Sequence, residues 1–195
     1  MEEHRHDPLG DSSFAPTLYT VGHGGRTADE FIDLLRIAAI DGIADVRAYP
    51  TSRRHPHFAQ TALAPLLGEA GIAYEWLGKA LGGFRRRAYS SVHSALAEDS
   101  LRAYAEYMNS AAFQDGIIHL LLHARLRSTA ILCAERLPAH CHRALISDYL
   151  TVNGVPVIHV LDDGHVVPHR LSRLVRCKSG RLIYDRGCEQ LGWKF

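Results

Sequence analysis

Lysine is nearly absent from this chain. Of its 22 basic residues only Lys79, Lys178 and Lys194 are lysines, so 19 are arginines. A planar guanidinium suits phosphate and carboxylate better than an ammonium does, although a coding preference would give the same ratio and position must arbitrate. An excess of either charge is also missing. The 22 basic residues face 21 acidic ones, which disfavours a globally basic nucleic-acid binder and leaves a local patch open. No apolar run approaches the roughly 20 residues that span a bilayer. Residues 1–11 carry no apolar stretch of a secretory signal, so a cytoplasmic protein without a membrane partner is expected. Cysteine is sparse: Cys133, Cys141, Cys177 and Cys188 make neither CxxC pairs nor a disulfide framework and read as reduced thiols. What is present is ordinary. With 195 residues, 47% hydrophobic and 22% charged, the chain can bury the core of one domain.

Residues 1–16 lack any period and read as a flexible tail. From Leu18 onward short β-branched runs alternate with helical stretches, the signature of a parallel α/β domain over residues 17–161. Strands are expected near 18–21, 42–47, 72–77, 129–133 and 156–161. Helices are expected near 61–70, 100–108, 111–126 and 140–152, besides one opened by a Thr27–Glu30 capping box and carrying Phe31, Leu34, Leu35 and Ala38 on one face. The expected architecture is a Rossmann-like, mainly parallel sheet of about five strands with helices on both faces. Residues 162–195 form a basic, irregular C-terminal extension packed on the domain, with one hairpin around Val166 and Leu182.

Open parallel sheets bind ligands beyond the carboxyl ends of their strands. Those ends carry His23 after the first strand, Arg47, Arg53 and Arg54 after the second, Arg85–Arg87 after the third and residues 133–143 after the fourth. Scatter from a coding preference would not concentrate there, so the pattern points to an anion-recognising cleft. Asp45 beside Arg47 is either a second carboxylate for that cleft or half of an ion pair holding the loop. Trp76, Phe84 and Tyr89 lie around the third loop and can stack on a base or anchor the loop.

The sharpest segment runs from Cys133 to Arg143. Cys133 closes a buried strand and is a candidate nucleophile beside the helix expected from His140, whose N-terminus attracts anions. The spacing is not that of a C-x5-R phosphatase loop, and a plain buried strand-end cysteine is the competing reading. Cys141 shares a helical face with Leu145, Tyr149 and Val152 and reads as packed on the sheet. A zinc site of Cys133, His140, Cys141 and His142 is set aside, because neighbouring residues splay apart on a helix; no metal is expected. Glu135 is a candidate acid or base, or a solvated loop carboxylate. Gly22-His23-Gly24-Gly25 is not a dinucleotide fingerprint.

The chain resembles the domain of unknown function 488 family over residues 18–160. The resemblance lies in Thr20-Val21-Gly22-His23, Asp45-Val46-Arg47 with Pro50 and Ser52-Arg53-Arg54, Leu77-Gly78 with Leu81-Gly82-Gly83, and Tyr104-Ala105 with Met108 and Phe113. Its most specific pieces are Leu132-Cys133-Ala134-Glu135 and Cys141-His142-Arg143. It implies a small α/β protein linked to nucleotide or nucleic-acid metabolism and marks the same strand-end loops. Gly24-Gly25 replaces the family's more usual small polar pair, Arg85–Arg87 is unusually basic, and residues beyond 162 have no counterpart.

The resulting expectation is an enzyme, a hydrolase or transferase, with an Arg/His/Cys-lined anion cleft for a phosphate-bearing nucleotide or nucleic-acid component. His23, Glu135 and Cys133 are its candidate catalytic residues. Arg47, Arg53, Arg54, Cys141, His142 and Arg143 are its candidate anion-binding residues. The alternatives are a non-catalytic nucleic-acid-binding module and a thiol-based redox or interaction protein. The cofactor and oligomeric state stay open.

Overall fold

In a computed structural model, described over residues 16–86, 91–162, 164–178 and 180–186, the alternating pattern becomes an α/β domain built on a mostly parallel sheet. In chain order the elements are β1 (Leu18–Gly22), α1 (Ala28–Ile37), β2 (Gly42–Asp45), α2 (Gln60–Glu69), β3 (Ala73–Trp76), α3 (Gly78–Leu81), α4 (Asp99–Tyr107), α5 (Ala111–Leu126), β4 (Thr129–Cys133), α6 (Arg143–Val152) and β5 (Val157–Val160). They are followed by β6 (Val166–Pro168), β7 (Val175–Lys178) and β8 (Arg181–Tyr184). The sheet order is β3-β2-β4-β1-β5-β6, with β1 to β5 parallel and β6 antiparallel on the edge. Pro168, which cannot donate to a ladder, sits on that edge strand.

Period-two alternation sends neighbouring residues to opposite faces. Val21, Ile43, Ala130 and Leu132 face α1 and α2, burying Phe31, Leu34, Leu35, Leu63 and Leu67. Ala44, Ile131 and Cys133 face the other layer, against Tyr104, Phe113, Leu120, Leu145 and Ile146. Burying each such aliphatic or phenyl side chain stabilises the fold by about 1.5–3 kcal/mol. The Thr27 capping box starts α1 as its sequence indicates: Thr27 Oγ1 accepts from the Glu30 amide at 3.2 Å and Glu30 Oε2 from the Thr27 amide at 2.8 Å.

Two expectations about local structure change. The hairpin does not join Val166 to Leu182: Val166 pairs with Val160 on the main sheet, and Leu182 pairs with Cys177 in a β7–β8 hairpin. Its tight turn uses Gly180 at φ +74°, a backbone state that glycine adopts without strain. The hairpin packs into the core through Val175, Leu182 and Tyr184. The last helix starts at Arg143 and not at His140, because a separate 3-10 turn over Pro138–His140 intervenes. Among the described residues no helix is long and apolar enough to cross a membrane.

Candidate functional site

The parallel strands end together, which brings the turns after β1, β2 and β4 to one edge. The backbone stitches them: the His23 amide donates to the Cys133 carbonyl at 3.0 Å and the Val46 amide to the Leu132 carbonyl at 3.0 Å. Gly22 is required here, since a Cβ at that position would overlap the Glu135 carbonyl.

At the β4 end, Cys133, Cys141 and His142 converge and all three are buried. Cys141 is not on the helix. Its backbone is extended (φ −141°, ψ 147°) after the 3-10 turn, and His142 is the N-cap of α6. That bend turns two adjacent side chains toward the same point, which a helix would not do. His142 Nδ1 lies 3.8 Å from Cys133 Sγ and 3.6 Å from Cys141 Sγ. His142 Nε2 lies 3.2 Å from the Val46 carbonyl, which can only accept. The proton therefore sits on Nε2, and the Nδ1 lone pair faces the sulfurs. The two thiols differ. The hydrogen bond from Cys133, acting against burial and joined by the charge of Arg143, holds Cys141 well below the usual thiol range; the same bond and burial push Cys133 up. Of the two, Cys141 is the more acidic. The side chain of His140 lies outside the described set.

Arg143 follows, 1% exposed. It donates to the Glu135 carbonyl at 2.5 Å, the Arg136 carbonyl at 3.4 Å and Thr20 Oγ1 at 3.5 Å, while its Nε has no partner among the described residues. No carboxylate pairs with it among those residues. Thr20 Oγ1 is 2.7 Å from His159 Nδ1, His159 Nε2 is 2.8 Å from His169 Nδ1, and His169 Nε2 is 2.9 Å from Asp148 Oδ1. Tyr184 donates to the other oxygen of Asp148 at 3.0 Å. This buried chain ties β1, β5, α6 and the hairpin together, and the sequence reading missed it. Its members are 139 residues apart at the Thr20–His159 link, so no local spacing signals them.

The remaining candidates separate. Arg47 is consumed by Asp45, with Nε at 2.9 Å from Oδ1 and Nη2 at 2.5 Å from Oδ2, and by the Phe58 carbonyl at 2.7 Å. Tyr74 donates to the same carboxylate at 2.7 Å. Of the two readings left open for Asp45, the structure has the ion pair that holds the loop. His23 is buried, stacks on Phe58 at 4.2 Å and lies 2.9 Å from the Gly24 carbonyl through Nδ1. Burial, then the charge of Arg47, lowers its pKa to about 4, so it is neutral near pH 7 with Nε2 as an acceptor. Glu135, Arg53 and Arg54 are exposed. The first contributes its backbone carbonyl to Arg143; the carboxylate and the two guanidiniums make no hydrogen bond or ion pair among the described residues.

Exposed aromatics complete the edge. Tyr49 and Phe84 are 69% and 73% exposed, with ring centroids 5.8 Å apart. Tyr49 lies three residues beyond Val46. Phe84 follows Gly83, whose added Cβ would stand 2.6 Å from His142 Nδ1, so the two loops that carry the rings touch His142 of the thiol–imidazole cluster through Val46 and Gly83. Trp76 instead anchors the loop, donating to the Arg47 carbonyl at 2.9 Å. Tyr89 and Arg87 lie outside the described residues. Beside β1 a groove of about 520 Å³ is lined by Arg26, Arg136, Glu30 and Asp162 among others.

A family model described as "Domain of unknown function DUF488" matches residues 27–150. The chain belongs to this family. The DUF488 match covers α1 through most of α6, and thus the Asp45–Arg47 loop, the aromatic pair and the whole Cys133–Arg143 segment. Neither the curated proteins nor the solved structures gave a match.

Proposed function

We propose that this DUF488 chain is an enzyme acting on a nucleotide or a nucleic-acid component at the carboxyl edge of the sheet. The observation that carries the reading is a solvent-facing aromatic pair, Tyr49 and Phe84, on two loops whose Val46 carbonyl and Gly83 lie against His142 of the buried thiol–imidazole cluster. Bases stack on exposed aromatic faces, and the exposed guanidiniums of Arg53 and Arg54 on the Tyr49 loop suit the attached phosphate. Burying polar, reactive side chains together at a ligand-binding edge is a cost that a purely structural core would avoid with apolar residues. The neutral His23, its Nδ1 proton given to Gly24, supplies an acceptor for a substrate proton.

The test has two readouts on the folded full-length protein. Anisotropy of a fluorescein-labelled single-stranded oligonucleotide reports binding, and mass spectrometry of incubated nucleotides and oligonucleotides reports product. Stacking is worth about 1–3 kcal/mol per base, so Tyr49→Ala with Phe84→Ala is expected to weaken binding by about tenfold or more. Arg53→Ala with Arg54→Ala is expected to weaken it and flatten its salt dependence. His23→Gln is expected to bind but not turn over. Oligonucleotide and nucleotide affinities unchanged in both double variants would remove the proposal. Binding without product from any phosphate ester would leave the non-catalytic module, which the same aromatic pair also favours.

A further inference from the structure

The thiol–imidazole cluster has a feature that neither stacking nor anion recognition uses. Two sulfurs and an imidazole lone pair point at one small volume, with all three ligand atoms within 4.8 Å of one another. We infer that Cys133 Sγ, Cys141 Sγ and His142 Nδ1 bind a zinc ion, with one coordination position left for water or a substrate atom.

Distances support the assignment. A tetrahedral zinc with Zn–S near 2.3 Å and Zn–N near 2.0–2.1 Å separates its sulfur and nitrogen ligands by about 3.5 Å. The observed separations are 3.6 and 3.8 Å. The outer contacts are those that a metal-binding histidine needs. The Val46 carbonyl takes the Nε2 proton, which leaves Nδ1 deprotonated and fixes the ring plane. Gly83 packs against the same ring where any Cβ would collide with it, so the imidazole cannot swing away. The Arg143 amide donates toward Cys141 Sγ at 3.5 Å, steadying the second sulfur.

Ligand type selects the ion. Two thiolates and an imidazole favour zinc over magnesium or calcium, which require oxygen ligands. Among the described residues three side chains face the ion's position, and three protein ligands with an open position are the pattern of a catalytic zinc site, whereas structural sites use four. Binding is balanced by proton release: each Cys gives up its S–H proton, both leave to solvent, and His142 binds as the neutral base. No electron is transferred. The inference deepens the reading above by naming what the reactive centre holds; its test reads metal binding and not turnover, so either can fail alone.

The experiment starts from full-length protein purified under reductant, stripped with a chelator, and titrated with cobalt(II) and then zinc(II). One equivalent of cobalt is expected to give a sulfur-to-cobalt charge-transfer band and the intense visible bands of a tetrahedral ion, both bleached by zinc. Second-shell changes alone cost metal affinity about 10–100-fold, so Cys133→Ser and Cys141→Ser are expected to lose more than that, and Gly83→Ala an amount in that range. Cys177→Ser, exposed on the hairpin, is expected to change nothing. Zinc X-ray absorption of the unmutated protein decides the matter even if the serine variants do not fold, because two sulfurs must appear in the first shell. A shell without sulfur, a charge-transfer band that depends on Cys177, or no binding because Cys133 and Cys141 form a disulfide under these conditions would each overturn the inference.

Discussion

Arg47 and Arg143 both bury a guanidinium at the carboxyl edge, 5% and 1% exposed, yet their surroundings differ. Arg47 meets the Asp45 carboxylate along one side and a backbone carbonyl on the other, so its charge is neutralised locally. Among the described residues Arg143 meets only carbonyl and hydroxyl oxygens, has no partner for its Nε, and lies near two thiols. Burial is the main cause that lowers the pKa of His23 and of His159, and each arginine adds to it, Arg47 at His23 and Arg143 at His159. A closed ion pair accounts for itself as structure. A buried cation with no carboxylate opposite it among the described residues is costly to the fold.

The comparison is broken most sharply by removing each cation in turn. Arg47→Met strands a fully buried Asp45 and is expected to cost about 3–5 kcal/mol in urea unfolding. Arg143→Met strands no carboxylate among the described residues and loses neutral acceptors there, so about 1–3 kcal/mol is expected. Equal losses would show that Arg143 has an ionic partner after all.

Acid sharpens it next. His159, held down to about 4 by burial and by the charges of His169 and Arg143, has an ordinary value of 6.5 when unfolded, while Asp148 pulls the other way. Between those values the unfolded chain binds the proton and the folded chain does not. Stability is therefore complete above pH 6.5 and falls as pH drops toward about 4. His23 contributes in the same direction, so the informative quantity is the difference from His159→Gln, whose acid loss should be shallower. Parallel pH–stability curves for the two proteins would show that His159 is not the proton acceptor.

The smallest effect is expected at the aromatic pair. Tyr49→Ala and Phe84→Ala remove exposed rings and should each change unfolding free energy by less than about 0.5 kcal/mol while weakening base binding. A large loss of stability would make the pair a loop anchor.

Much of the fold was readable because its signals are local. The capping box at Thr27, the apolar face of α1 and the β-branched runs of the strands are each set by neighbours within a few residues. The strand-end rule singled out the carboxyl edge of the sheet, and Cys133, Cys141, His142, Arg143 and His23 do gather there. Other assignments were beyond local reading. Whether Asp45 closes on Arg47 or faces a cleft depends on Tyr74 and Phe58, which come from a neighbouring strand and a distant loop. Placing His140 to His142 on one helix misjudged Cys141 because Pro138 begins a separate turn, and that turn is what lets the Cys–His pair converge.

Residue order was sufficient for the alternation of strands and helices, for which faces are apolar and for which turns lie at the carboxyl edge of the sheet. Periodicity and capping act over a few residues. Which guanidinium is neutralised, which ring stays in water and which three atoms share one small space were settled by packing between segments as much as 139 residues apart. Charge pairing and metal-ligand geometry depend on distances in space, which chain spacing does not encode.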